Sequence, residues 1–123
     1  MKTAQIKSKH HITDIGKLVY LIREELSVSQ EQLGKLLRVS GRSVARWEKE
    51  NKVPVKYETL DRLMKLEKIA ALGKEIYTSE GLNEFLSTPL DVFKGRTGYD
   101  MILLGEYEAV IGALASDYEG IGF

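Results

Sequence analysis

The sequence predicts an all-α protein built as two helical modules, and three observations carry that expectation. Apolar residues recur at i, i+3, i+4 and i+7 in several segments, no segment keeps the strict alternation of a half-buried strand, and capping residues, glycines and prolines fall between the periodic stretches. A chain of 123 residues with 43% hydrophobic side chains is large enough for one compact domain, or two small helical ones sharing a core, without covalent staples.

Residues 1–12 are polar, with Lys2, Lys7, Lys9, His10 and His11, and read as a flexible arm. The two histidines are neighbours on one backbone with no third ligand nearby, so neither a metal nor a cofactor is expected. Asp14 can cap a helix whose Ile15, Leu18, Val19, Ile22 and Leu26 form one apolar stripe.

Residues 30–49, QEQLGKLLRVSGRSVARWEK, are the most informative stretch. Ser29 with Gln32 three positions on is a capping box, and Leu33, Leu36 and Leu37 supply the buried stripe of the helix it starts. Gly34 allows a second helix to cross closely, Val39 is the apolar residue of the turn, and Ser40 can cap the second helix, whose Val44 and Trp47 point back to the core. The opposite face then carries Arg42, Ala45, Arg46 and Lys49 as a basic stripe. A solvated surface would also explain those charges, but the register of caps, small residue and buried positions is that of a helix-turn-helix, whose second helix reads base edges. The residues expected at DNA are Gln30, Ser40, Gly41, Arg42, Ser43, Arg46 and Lys49.

After this unit Pro54 ends a turn, and Leu60, Leu63, Met64, Ile69 and Ala70 form a helical stripe that should run toward Tyr77, with Gly73 as a break. Thr78 or Ser79 starts a helix with Leu82, Phe85 and Leu86 that Pro89 stops. Leu90, Val92 and Phe93 form an apolar turn leading to Gly95. Thr97 with Asp100 is a second capping box, placing Met101, Leu103 and Leu104 on a short helix that ends near Gly105. The last helix carries Tyr107, Val110, Ile111, Leu114 and Tyr118 on one stripe, with Gly120 placed as its stop. The expected organisation is an arm over residues 1–12, a DNA-binding module over 13–72 and a second helical module over 73–123.

Net charge is zero, yet it is unevenly spread: residues 1–68 hold 15 Lys and Arg against 9 Asp and Glu, and residues 69–123 hold 3 against 9. A basic first half suits phosphates, while an acidic second half faces something else. The chain has no cysteine, no apolar run long enough to span a bilayer and no signal-peptide core near its start, so a soluble, cytoplasmic protein is expected. Catalysis is not expected, because the glycines at 95, 98, 105 and 112 form no phosphate-cradling loop after a strand and the histidines lie only in the arm.

Residues 18–66 resemble the Xre type of helix-turn-helix, with Arg38 standing where that group usually has glycine; the turn must then take φ below zero or tolerate strain. Residues 82–123 resemble the toxin-binding domain of the Xre/MbcA/ParS antitoxin family. The resemblance rests on Thr88 and Pro89, the Gly95, Arg96, Thr97 run, Asp100 with Leu103 and Leu104, Gly105 with Glu106 and Val110, and Glu119 with Gly120. This chain departs from the pattern at Phe85, where tryptophan is usual, and at Gly98, where proline is usual.

The resemblance implies an antitoxin that dimerises, binds operator DNA to repress its own operon and holds a RES-type toxin that degrades NAD. By it, Arg96, Glu119, Gly120, Ile121, Gly122 and Phe123 would meet the toxin, the last three as a plug for its cleft. From the residues alone, Ile121 and Phe123 suit either a partner's pocket or this protein's own core. The alternative function is a stand-alone repressor whose second module senses a ligand or another protein.

Overall fold

The computed structural model describes residues 15–52 and 56–121. Among these, seven α-helices and one 3₁₀ turn follow one another with no strand. The polar arm, the Asp14 cap, Pro54 of the expected turn, and Gly122 and Phe123 lie outside the described residues.

Helix α1 (Ile15–Leu26) buries the expected stripe of Ile15, Leu18, Val19, Ile22 and Leu26, and Gly16 as well. Gly16 is a close approach that the sequence did not flag. A Cβ there would sit 2.7 Å from the Trp47 carbonyl oxygen and 2.9 Å from that of Glu48, so only glycine lets α1 abut the end of the third helix. The Gly16 amide donates to Asn51 Oδ1 at 2.7 Å, which satisfies one of the open N–H groups of the α1 amino end.

Helix α2 (Gln30–Leu37) starts at the expected capping box, with the Gln32 amide donating to Ser29 Oγ at 3.1 Å and the Ser29 amide donating to Gln32 Oε1 at 2.8 Å. It ends at Arg38, which takes φ 62° and ψ 41°. The turn therefore does not adopt φ below zero: a side chain occupies the left-handed region at a cost of about 1–2 kcal/mol. The amides of Arg38 and Val39 close the helix end on the carbonyls of Lys35 and Gly34. Helix α3 (Gly41–Glu50) is capped by Ser40, whose Oγ accepts from the Ser43 amide at 3.1 Å. Gly34 permits the crossing, since a Cβ there would meet the Val39 oxygen at 2.7 Å.

Helix α4 (Tyr57–Gly73) buries Thr59, Leu63, Leu66, Ile69, Ala70 and Gly73. Leu66 is fully sealed, whereas Leu60 and Met64 of the expected stripe are only partly covered. The helix stops at Gly73 and does not reach Tyr77. At Gly73 a Cβ would lie 2.6 Å from both methyl carbons of Leu82, so the residue is small because α5 (Ser79–Ser87) packs on it. Thr78 caps α5, its Oγ1 accepting from the Gly81 amide at 3.0 Å, and the helix ends before Pro89 as expected.

In the 3₁₀ turn Asp91–Phe93, Phe93 is buried but Val92 is 72% exposed. Helix α6 (Gly98–Leu103) opens on the expected Thr97–Asp100 capping box. Its buried residue is Ile102, while Leu103 and Leu104 are exposed at 39% and 56%. Met101 and Leu103 lie on this short helix as expected, with Leu104 at its carboxyl cap, and a helix of this length is too short for periodicity to show which of its residues is buried. Gly105, at φ 83°, terminates it.

Helix α7 (Tyr107–Ile121) buries Tyr107, Val110 and Leu114 along the expected stripe, with Ile111 partly covered and Tyr118 50% exposed. It runs through Gly120, which is not the helix stop expected from sequence. Glycine ends a helix by turning to positive φ, and here only Gly95 and Gly105 do so among the described glycines. One apolar cluster runs through all seven helices, from Ile15 and Val44 to Leu82 and Leu114.

Candidate nucleic-acid interface

Helices α2 and α3 pack with Val44 and Trp47 turned inward, at 0% and 7% exposure. That fixes the rotation of α3 and leaves Arg42, Arg46 and Lys49 exposed on the outer side, with Ala45 between them half covered. None of the three cations makes a hydrogen bond or ion pair with another described residue. A helix surface that keeps three cations out of internal pairing is well suited to phosphates and to the acceptor edges of guanine.

Behind this surface α3 is held by a network. Arg23 on α1 donates to Glu48 on α3 in a fork, Nε to Oε2 at 2.7 Å and NH2 to Oε1 at 3.1 Å, and Gln30 Nε2 donates to the same Oε1 at 2.9 Å. The Arg23 guanidinium also lies over the Tyr20 ring at 5.6 Å and donates to the Val28 carbonyl. Burial pushes the Glu48 carboxyl up, but the hydrogen bonds from Arg23 and Gln30 and the Arg23 charge outweigh it, so its pKa lies below the usual value. The pair ties α1, α2 and α3 together at one point, and the sequence pattern missed it because its members stand 25 residues apart with no periodic relation.

The structure distributes the other residues expected at DNA as follows. Gln30 opens α2 with its amide nitrogen already engaged by Glu48. Ser40 and Ser43 bond to each other, Oγ to Oγ at 3.1 Å, in addition to the cap. Gly41 starts α3 where a Cβ would press on the Glu31 backbone at 3.1 Å, so its smallness serves the packing of α2 on α3.

In the second half the residues expected at a partner do not converge. Arg96 is exposed in the loop before α6, and Glu119 and Gly120 are exposed on the last turn of α7, with no hydrogen bond or ion pair between them. Nothing is described of the Ile121 side chain, Gly122 or Phe123. The polar groups of this half mostly reach inward. Asn83 Nδ2 donates to the carbonyls of Leu26 and Ser27 at 2.9 and 3.3 Å and to Tyr99 Oη at 3.0 Å. Burial pushes the Tyr99 phenol up to about 12 against an opposing hydrogen bond from Asn83, so it stays protonated. Tyr77 donates to Asp117 Oδ2 at 2.6 Å, and burial with that acceptor raises it to about 12 as well. Lys74 pairs with Glu25 at 3.1 Å, and Arg38 donates to the Leu103 carbonyl. Among the described residues no three His, Cys, Asp or Glu side chains are grouped as metal ligands. No described helix is long and apolar enough to cross a membrane.

Comparison with known proteins agrees with this arrangement. A helix-turn-helix family model matches residues 19–68, close to the 18–66 span identified in the sequence. The mycobacterial cidal antitoxin MbcA of Mycobacterium bovis is 29% identical over 98 residues, covering 80% of this chain and 86% of that protein. The MbcA of Mycobacterium tuberculosis shows the same identity and coverage. A chain from the crystal structure of the M. tuberculosis MbcT–MbcA toxin–antitoxin complex superposes with a TM-score of 0.75 at 26% identity, over 87% of this chain and 96% of that one. The similarity thus extends past the DNA-reading unit into the second half: residues 19–68 match a helix-turn-helix, and the chain as a whole is similar in sequence and fold to the MbcA antitoxins.

Proposed function

We propose that the protein is the antitoxin of a type II toxin–antitoxin pair, that it represses its own operon through α3, and that it neutralises a RES-type toxin that degrades NAD. The observation that carries the DNA half of this reading is the face of Arg42, Arg46 and Lys49, exposed and internally unpaired on a helix locked in place from behind by Arg23 and Glu48. Arg42 and Arg46 would contact bases or phosphates, with Gln30, Ser40, Gly41, Ser43 and Lys49 along the backbone. The toxin half is supported by similarity to MbcA on both sides of residue 72 and by the complex in which the structural neighbour was crystallised. We assign residues 13–72 to DNA and residues 73–123 to the partner, with Arg96, Glu119, Gly120, Ile121, Gly122 and Phe123 at the toxin. No catalytic step is assigned to the chain, and the cytoplasm is its compartment in this reading.

Co-expression with the toxin encoded beside it tests the reading, with cellular NAD as the readout. Full-length chain should preserve NAD and growth, and deletion of residues 121–123 should lose that protection while operator binding persists. Protection by the truncated chain would show that these residues do not occlude the toxin. The protein should also be a homodimer, since Gly112 on α7 has open space beyond it and Ala109, Ala113 and Ala115 flank it. Two copies would set recognition helices about 34 Å apart, one turn of DNA. A monomer mass by light scattering at micromolar concentration would remove that part.

A further inference from the structure

Helices α1 and α4 enclose a groove that neither the DNA surface nor the partner residues use. Its volume is about 250 Å³, and the buried Leu18 and Ile22 line it from α1. Two further apolar residues stand open on it: Leu21, a large side chain left 43% exposed, and Ala71 on α4. A single exposed aliphatic residue needs no explanation, but here two of them sit over buried neighbours in a concave strip.

The acids around this strip are only partly spent. Glu25 pairs with Lys74 at 3.1 Å where α1 and α4 end, whereas Glu67 and Glu75, which also line the groove, have no hydrogen-bond or ion-pair partner among the described residues. The surface therefore suits a segment that brings an aliphatic side chain together with lysines. Residues 1–14, which lie outside the described residues, have that composition: Lys2, Lys7 and Lys9 stand against the single acid Asp14, with Ile6 and Ile12 among them. They join the described chain at Ile15, one helical turn before Leu18, so the junction is at the end of the groove opposite the Glu25–Lys74 pair. Along α1 the groove runs from Leu18 to Glu25, roughly 10 Å of helix, and twelve residues of chain reach up to about 40 Å. The segment is long enough to cover the groove with slack.

From the open apolar strip, the two unpaired acids and the position of this junction, we propose that residues 1–12 of the same chain lie in the groove between α1 and α4, with Ile12 over Leu21 and Ala71 and the lysines beside Glu67 and Glu75. The proposal goes beyond operator and toxin binding and depends on neither. It also changes how the charge of the first half is read. Three of the 15 Lys and Arg of residues 1–68 are then answered within the chain and are withheld from phosphates, so the arm adds nothing to the hold on DNA.

The chain has no cysteine, so Ala71→Cys carries a single nitroxide on the groove. In an isotope-labelled full chain at low salt, the amide signals of residues 6–12 should lose most of their intensity and recover when the nitroxide is reduced. Lys7→Glu with Lys9→Glu should restore the intensity while the nitroxide is still active, and adding Glu67→Lys with Glu75→Lys should take it away again. The amide spectrum itself shows that each variant is folded. A chain lacking residues 1–12 should bind operator with an unchanged salt slope. Full intensity at residues 6–12 beside the active nitroxide overturns the proposal. So does a loss that appears only when the nitroxide sits on a second, isotope-free chain, because the groove would then hold the arm of another copy. A salt slope lowered by about one for each lysine removed also overturns it, since the arm would then lie on phosphates. A chain that binds no operator at all refutes the DNA reading and leaves the nitroxide result to decide this one.

Discussion

The two halves of the chain use polar side chains in opposite ways. On α3 the outward cations Arg42, Arg46 and Lys49 have no hydrogen-bond or ion-pair partner among the described residues, and the acid turned toward the bundle, Glu48, is consumed by Arg23 and Gln30. In the second half, Asn83, Tyr99, Tyr77 and Lys74 are spent on fastening α4 through α7 to the first three helices and to one another. What this half leaves open is mainly apolar or acidic, Val92, Leu103, Leu104 and Tyr118 with Glu108 and Glu119 on α7, beside the exposed cations Lys94 and Arg96 before α6. The difference separates an electrostatic surface suited to DNA from a surface suited to protein, on a single continuous core.

The sharpest way to break this comparison is to ask whether the halves unfold apart. Leu66→Ala and Leu82→Ala each empty a fully buried position, one in each half, and each should cost about 2–5 kcal/mol. Because one apolar cluster joins both, each variant should shift a single transition seen alike by Trp47 fluorescence and by far-UV circular dichroism. A Leu82→Ala protein whose Trp47 transition stays put would mean that the halves fold independently.

A smaller effect, about 1–3 kcal/mol, is expected for Gly16→Ala, because the new Cβ meets backbone oxygens of Trp47 and Glu48 that cannot swing aside. Displacing α1 from the end of α3 should weaken operator binding as well, though Gly16 touches no DNA in the proposed docking. Unchanged melting and unchanged affinity would show that this close approach is slack.

The Arg23–Glu48 pair gives a pH signature. The folded-state pKa of Glu48 is depressed, so its contribution is present above the unfolded value of about 4.5 and is lost as pH falls through the lower folded value. Denaturant midpoints should therefore fall more steeply for wild type than for Glu48→Gln between about pH 5 and about pH 3. Parallel curves would mean that the pair adds nothing.

The smallest change is expected at Arg38→Gly. Relief of the left-handed conformation, about 1–2 kcal/mol, is offset by loss of the bond to Leu103 and by the extra freedom of glycine in the unfolded chain, leaving a net change below about 1 kcal/mol. A loss well above that would make Arg38 a main fastening between the halves.

Much of this fold is written in local pattern. Both capping boxes, at Ser29 and Thr97, involve residues three apart and are visible in the sequence, as are the inward Val44 and Trp47 that set the outward face of α3. What was not visible depends on contacts between distant segments. Gly16 and Gly73 look like weak points in helical stripes until the neighbouring Trp47 carbonyl and Leu82 side chain are placed against them. Ile102 could not be picked over Leu103 because one turn of helix has too little period to choose a face. Gly120 looked like a stop because glycine often is one, but only its φ decides that. The groove between α1 and α4 is lined from both helices, and no spacing in the sequence brings Leu21, Glu67 and Ala71 together.

The separation of surfaces is tested most directly by one variant, Arg42→Ala with Arg46→Ala, assayed for operator binding by gel shift at fixed salt and for capture of the partner toxin. An Arg paired with guanine contributes about 1–3 kcal/mol of discrimination, so operator affinity should fall at least tenfold while toxin capture and melting temperature stay at wild-type levels. Operator binding at wild-type strength in the folded double variant would contradict the account, because the unpaired basic face of α3 would then not be the surface that meets DNA.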